Sequence, residues 1–451
     1  MLMLSTSLLN DLVEEFIEVR EKTMDIFTPL GIEDAVIQSS TFGSPPNWHI
    51  AHVTWFFHKM LEKYNNNGVA FFENKFNLDY LNSYYYKYGK ILTKSERGKY
   101  PRPTVSQSIE YRKEIEKGFI GFLKSLEKKD FSDKFVLDVF TAINHELQHQ
   151  ELMVYDFQHY FNRFSDECDN YCPNKWGKKM PLKEKINKEM VRIPGGIFVV
   201  GYNGDGFCYD NEMPENKVYL NSYEIDNSLV TNGEFIGFIE DGGYINYKHW
   251  LADGWDLVQD ENWASPLYWY FDKSKKKWFK KDFRGNNEID PDEPVVNVSY
   301  YEADAFSKWA KKRLPTEAEW EKAASWNEKS SSKTVFPWGN HLPGIEHANL
   351  LESYQWAPTV AGTYPDGKSH YGCHQMIGDV WEWTSSEYML YPGFKSKFEE
   401  YTDKWAINQK VLRGGCFSTS KKQIRNSYRN YFKPHERILF AGFRCAKDDF
   451  N

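Results

Sequence analysis

The chain changes texture after its first third. Up to about residue 164, apolar side chains recur every three or four positions; beyond residue 190 they come in short runs broken by glycine, asparagine and aspartate. The first pattern is that of helices carrying one apolar stripe. Leu8, Leu9, Leu12, Phe16 and Val19 predict a helix over residues 5–28. Ser44-Pro45-Pro46 predicts the start of a second over 45–66, because proline is tolerated in a first turn. Ile109, Tyr111, Ile115, Phe119, Phe122 and Leu123 predict a third over 105–129, and Val136, Val139, Phe140, Ile143, Leu147 and Met153 a fourth over 132–163. Four long amphipathic helices imply an antiparallel bundle, with 67–104 as a long crossover.

A lysine-rich stretch with two prolines, residues 166–189, predicts a linker between a domain over 1–165 and another over 190–451. In the second domain, runs such as Ile197-Phe198-Val199-Val200 predict short strands. Helices are predicted from Tyr300 to about Lys312 and over 316–325, where Thr316 and Glu319 form a capping box. The fold class is therefore α+β, a helical bundle followed by a loop-rich mixed domain. Aromatic residues reach 17% of the chain, a load that suits irregular packing with rings filling the gaps.

Charge and cysteines narrow the function. The net charge is −8 and no basic patch with interleaved aromatics occurs, so nucleic acid is not expected as a partner. None of the six cysteines forms a C-x-x-C pair, and Cys168 and Cys172 stand four apart without a second pair, which argues against a structural zinc site. Met1-Leu2-Met3-Leu4-Ser5 has no basic flank and reads as the start of an amphipathic helix, not a signal peptide. No run of 18 apolar residues exists to span a membrane. Free thiols predict a reducing cytoplasm.

The candidate chemistry sits in the fourth helix. His145-Glu146-Leu147-Gln148-His149 places two imidazoles one turn apart on one face, where they can grip one metal ion. A third histidine from another helix leaves positions open for substrate and dioxygen. Trp48-His49-Ile50-Ala51-His52 offers two candidates three residues apart, both able to face the bundle interior. Residues His145 to His149 match H-E-x-x-H literally, so a zinc hydrolase with Glu146 as base is a rival reading.

Longer strings carry a resemblance. Ile193-Pro194-Gly195-Gly196, Val230-Thr231-Asn232-Gly233-Glu234-Phe235, Arg313-Leu314-Pro315-Thr316-Glu317-Ala318-Glu319-Trp320-Glu321, Gly378-Asp379-Val380-Trp381-Glu382-Trp383, Leu412-Arg413-Gly414-Gly415 and Ala441-Gly442-Phe443-Arg444 follow one another over 190–447. In that order they resemble the formylglycine-generating-enzyme-type, C-type-lectin-like fold. The first half, through Trp48 to His52 and His145 to Glu151, resembles a DinB-like four-helix bundle. The two together resemble the non-heme iron sulfoxide synthases of ergothioneine and ovothiol biosynthesis.

The resemblance implies Fe(II) held by His52, His145 and His149, with His49 the competing third ligand. It implies Gln148 on the substrate imidazole, Tyr391 in Tyr391-Pro392-Gly393-Phe394 as proton donor, and Tyr84 and Tyr85 lining the site in members that use free cysteine. Asn430, Tyr431 and Phe432 match the segment that holds the amino-acid part of the histidine-derived substrate. Members taking γ-glutamylcysteine carry an acid where Phe432 stands and an arginine where Glu436 stands; without that pair the dipeptide's charges would be buried unpaired, so free cysteine is the expected thiol. Asn430 leans towards hercynine, whose quaternary ammonium needs aromatic faces, with Tyr431 and Trp381 as candidates. No G-x-G-containing αβ segment follows residue 447 as a methyltransferase domain would, which also leans towards ergothioneine. Histidine as acceptor, giving 5-histidylcysteine sulfoxide, is the alternative. A copper oxidase of the formylglycine-generating type needs a close cysteine pair, and the region by Gly442 holds only Cys416 and Cys445, 29 residues apart. A non-catalytic lectin-like binding protein with a decayed bundle predicts missing metal histidines, and all three are present. Isolated histidines such as His58 and His159 are expected to be structural or exposed, Trp381 and Trp383 to serve mainly the core, and glycines 195, 196, 414 and 415 to serve turns of positive φ.

Overall fold

The computed structural model describes residues 6–64, 78–83, 85–89, 91–127, 132–164, 173–204, 206–398 and 400–449. The chain divides into two compact units, Met1–Asn174 and Lys175–Asn451.

The described part of the first unit is built on α1 (Thr6–Phe27), α2 (Pro46–Tyr64), α3 (Val105–Ser125) and α4 (Asp133–Phe164). Local chemistry sets their starts. Pro46 opens α2, and the Thr104 hydroxyl accepts from Gln107 N while Gln107 Oε1 accepts from Thr104 N at the start of α3. The Ser132 hydroxyl accepts from Phe135 N ahead of α4. Helix α3 ends at Ser125, four residues short of the predicted end, and residues 128–131 lie outside the described residues. The apolar stripes meet in a knot of rings: Phe16, Phe57 and Phe119, from three helices, lie with centroids 4.8–5.1 Å apart. Helix α2 is buried nearly all round, which makes it the central element. Its buried polar side chains include His49, His52, Thr54 and His58, and such groups need internal partners.

One of those partners is an ionic network that touches all four helices. Glu146 of α4 accepts from Arg20 Nη1 (2.9 Å) and Thr23 Oγ1 (2.6 Å) of α1 and from Arg112 Nη2 (2.7 Å) of α3. Arg20 also donates to Thr54 of α2 (3.0 Å) and Glu116 of α3 (2.8 Å). Burial alone would raise the Glu146 pKa; Arg112 and Arg20 more than offset it and hold the carboxyl down at about 2.

The second unit is loop-rich. Its strands are β1 (Met190–Ile193), β2 (Gly196–Val200), β3 (Asn216–Leu220), β4 (Tyr223–Asp226), β5 (Trp269–Asp272), β6 (Lys277–Asp282), β7 (Gly285–Glu288), β8 (Trp326–Asn327), β9 (Ser332–Lys333), β10 (Trp381–Glu387), β11 (Lys410–Arg413), β12 (Asn430–Phe432), β13 (Ala441–Gly442) and β14 (Ala446–Asp448). They form small sheets in the orders β1-β4-β14 and β12-β11-β10-β13, an antiparallel meander β5-β6-β7, and the hairpins β2-β3 and β8-β9. Among the helices, α5 (Asn232–Glu240), α6 (Ala252–Asp260), α7 (Tyr300–Trp309) and α8 (Glu317–Ser325) lie between them. The Thr316/Glu319 capping box starts α8 as its sequence predicts. Helix α7 stops at Trp309, short of the predicted Lys312, where Lys311 turns to φ +57°. Residues 175–189 hydrogen-bond into this unit: Gly177 N reaches Tyr354 O (2.9 Å), and Lys183 N and Glu184 N reach Gly362 O.

Four of the family-like strings meet in two buried ion pairs. Arg413 of Leu412-Arg413-Gly414-Gly415 pairs with Glu321 at the end of the Arg313–Glu321 string, and both are fully buried. Arg444 pairs with Glu382 of β10 at 2.7 and 3.0 Å. Of the glycines expected at positive φ, Gly196, Gly414 and Gly415 have it. Gly195 does not; a Cβ there would lie 2.8 Å from Ser222 N and 2.9 Å from Leu220 O, so the requirement is close chain approach.

Candidate metal centre

The i, i+4 spacing on α4 brings His145 and His149 together, and α2 supplies His52 opposite them. One nitrogen of each of the three rings lies within 4.8 Å of those of the other two, and all three residues are buried. No other group of three or more histidine, cysteine or acidic side chains with this arrangement occurs among the described residues. His52 Nδ1 lies 2.6 Å from Leu81 O, which leaves Nε2 facing His145 Nε2 at 3.3 Å. A metal–nitrogen bond of about 2.1 Å sets donors about 3.0 Å apart at a right angle and about 3.4 Å apart at the tetrahedral angle, so this spacing fits one ion.

The surroundings keep the rings neutral and in place. Burial, then the neighbouring His145, drives the His52 pKa well below its ordinary value; burial does the same for His149 and lowers His145 to about 3. Neutral imidazoles are the form that binds a metal. Trp48, one turn before His52, stacks on its ring at 4.3 Å and 12°, and Trp55 flanks it at 5.8 Å and 20°. Trp48 is itself held by the Arg97 guanidinium, 3.7 Å above its ring, and by Nε1 donating to Tyr80 O (3.2 Å). Phe56 lies 4.7 Å from the His145 ring.

His49 sits on the far side of His149. Its Nδ1 is 2.7 Å from His149 Nδ1 and its Nε2 is 2.9 Å from Asp156 Oδ2. Glu146 points away from the histidines into the four-helix ionic network. A hydrolase of the H-E-x-x-H type needs that glutamate at the metal's water, so the literal match does not carry over.

Other expected residues fall as follows. Gln148 is half-buried, about 60° around the helix from His145. Tyr85 is buried against Trp55 and Phe56, with ring centroids at 6.4 and 5.8 Å, one side chain removed from the histidines; Tyr84 lies outside the described residues. In the second unit, Asn430, Tyr431 and Phe432 form the edge strand β12, where Tyr431 stacks on Tyr388 at 3.8 Å and Asn430 Oδ1 accepts from Tyr431 N. Tyr391 packs against Phe198 and Val200 under the Arg429 guanidinium (4.2 Å from its ring), and its buried hydroxyl has no hydrogen-bond partner among the described residues. Burial pushes its pKa up. Trp381 and Trp383 are fully buried core residues. His58 is structural, its Nδ1 2.8 Å from the Tyr111 hydroxyl. Cys416 and Cys445 are buried beside different hydroxyls, Ser418 and Ser307, and no disulfide joins the described cysteines. Sequence reasoning passed over Trp48, Arg97 and Asp156. Trp48 was within reach of the i, i+4 rule, whereas Arg97 and Asp156 arrive from distant segments.

Comparison with known proteins places this arrangement. Residues 15–154 match the DinB superfamily, and residues 177–449 match the sulfatase-modifying factor enzyme 1-like domain. Fold and site together define a protein of the class that joins a DinB-type bundle to a sulfatase-modifying-factor-type domain. The hercynine oxygenase of Mycolicibacterium smegmatis is 35% identical over 334 residues, covering 72% of this chain and 74% of its own length. That of Mycobacterium tuberculosis is 40% identical over 255 residues, covering 56% and 59%. The formylglycine-generating enzyme of Thermomonospora curvata is 30% identical over 297 residues, 59% of this chain and 95% of its own. The chain belongs to the hercynine oxygenase family.

Proposed function

We propose that this oxygenase uses iron(II) and dioxygen to join the sulfur of cysteine to the imidazole ring of hercynine, forming the sulfoxide of ergothioneine biosynthesis. The carrying observation is the cluster of His52, His145 and His149 in a chain of this family. Three neutral imidazoles suit iron(II), and a three-residue face leaves positions for substrates. Iron(II) bound there would supply the redox chemistry with dioxygen, and the protein supplies binding, orientation and protons.

The chain's own residues fit those tasks. Trp48 and Trp55 hold the His52 ring and keep its surroundings dry. Gln148 offers an amide to the substrate imidazole, and Tyr85 lines the thiol side. Asn430, Tyr431 and Phe432 take the amino-acid part of hercynine. Phe432 and Glu436 offer no charge pair for a dipeptide's termini, which favours free cysteine. Tyr391 donates a proton from its hydroxyl: a desolvated phenol retains that proton at neutral pH. No described helix is long and apolar enough to cross a membrane, and the absence of a disulfide among the described cysteines suits the cytoplasm.

The test is anaerobic reconstitution with iron(II), then exposure to oxygen with cysteine or γ-glutamylcysteine against hercynine or histidine, with products read by mass spectrometry. The cysteine–hercynine sulfoxide is expected. A histidine adduct in its place would move the chain to the ovothiol-type reaction, and no adduct from any pair would overturn the proposal.

A further inference from the structure

We infer that Asp156 and His49 are positioning residues, a relay that fixes the tautomer and orientation of His149 at the metal. This rests on the reading of His149 as an iron ligand. The argument starts from the two nitrogens that face each other at 2.7 Å, His149 Nδ1 and His49 Nδ1. One hydrogen must lie between them. A neutral His149 offering Nε2 to a metal carries its hydrogen on Nδ1, so it donates to His49. His49, accepting at Nδ1, carries its own hydrogen on Nε2 and donates it to Asp156 Oδ2 at 2.9 Å.

The reverse arrangement of neutral rings fails twice. It puts the hydrogen of His149 on Nε2, where a ligand needs a lone pair. It also turns the bare Nε2 of His49 towards the carboxylate at 2.9 Å, two acceptors in contact. The carboxylate therefore selects the direction of the chain, and with it the face that His149 presents. Asp156 is itself fixed: Ser44 N donates to Oδ2 at 3.0 Å. Gly43 leaves room for the other oxygen; a Cβ there would lie 2.2 Å from Oδ1. The three relay side chains are all buried, which strengthens these bonds electrostatically. Partners of this kind orient a ligand ring and raise its basicity.

The experiment measures iron(II) affinity anaerobically by chelator competition, and the visible ligand-field spectrum of the cobalt(II)-loaded protein, for Asp156→Asn, His49→Phe and the control variants His52→Ala and His149→Ala. Asparagine keeps the size and shape of the side chain, so circular dichroism and melting should match the parent while the charge that directs the relay is gone. Both relay variants are expected to keep one metal per chain, to bind iron(II) about 10–100-fold more weakly, and to shift the cobalt bands. Unchanged affinity and spectrum in both would overturn the relay and leave the ligand set standing. Loss of the metal from His49→Phe as complete as from His149→Ala would make His49 a ligand and overturn it too. Full affinity in both alanine controls would instead remove the ligand set, and the relay with it.

Discussion

The Tyr391 hydroxyl is enclosed without a partner among the described residues, at a cost of about 1–3 kcal/mol for such a group. Tyr391→Phe should therefore leave the melting temperature unchanged or raise it, while product analysis shows turnover diverted from the sulfoxide towards simple oxidation of cysteine. Parent-like product ratios would remove this phenol from the mechanism. At this scale the sequence was legible where a role follows from local spacing. His145 and His149 share a face because they are one turn apart, and Trp48 stacks on His52 for the same reason. It was not legible for Gly195, whose missing side chain answers to the approach of residues 220–222 and not to its own φ.

Among elements, the bundle is tied by the ionic network around Glu146, whose partners come from α1 and α3. Removing one partner of a buried ion pair strands the other charges. Glu146→Gln is expected to destabilise the bundle by about 3–5 kcal/mol, read as a lowered urea midpoint. An unchanged midpoint with lost activity would return Glu146 to the role of a catalytic base. The periodicity predicted all four helices within a few residues, since stripes and caps are local. It did not tell which way Glu146 faces, because the surrounding helices choose that. In the second unit, the strings that resemble a known family lie far apart in sequence and act as pairs, Arg413 with Glu321 and Arg444 with Glu382.

For the whole molecule, buried carboxylates in both units predict how it responds to acid. In the second unit, burial alone would raise the Glu293 pKa, but Arg284 and Lys280 hold it down at about 2, as Glu146 is held in the first. A folded pKa of about 2 against about 4.3 unfolded means the stabilisation is complete above about pH 4.5 and is lost as pH falls towards 2, up to about 3 kcal/mol for each group. Melting temperature should fall between pH 5 and pH 3, and Glu293→Gln should flatten that dependence in the second unit's transition; an undiminished slope would show that other groups carry it. By itself the sequence determined the two-part architecture, the helices and the paired histidines of α4, because all of these follow from spacing along one chain. The rotation of α2 against α4 decided that His52 closes the cluster while His49 backs His149. A three-residue spacing lets both face inward, and only packing between distant segments sets their depths.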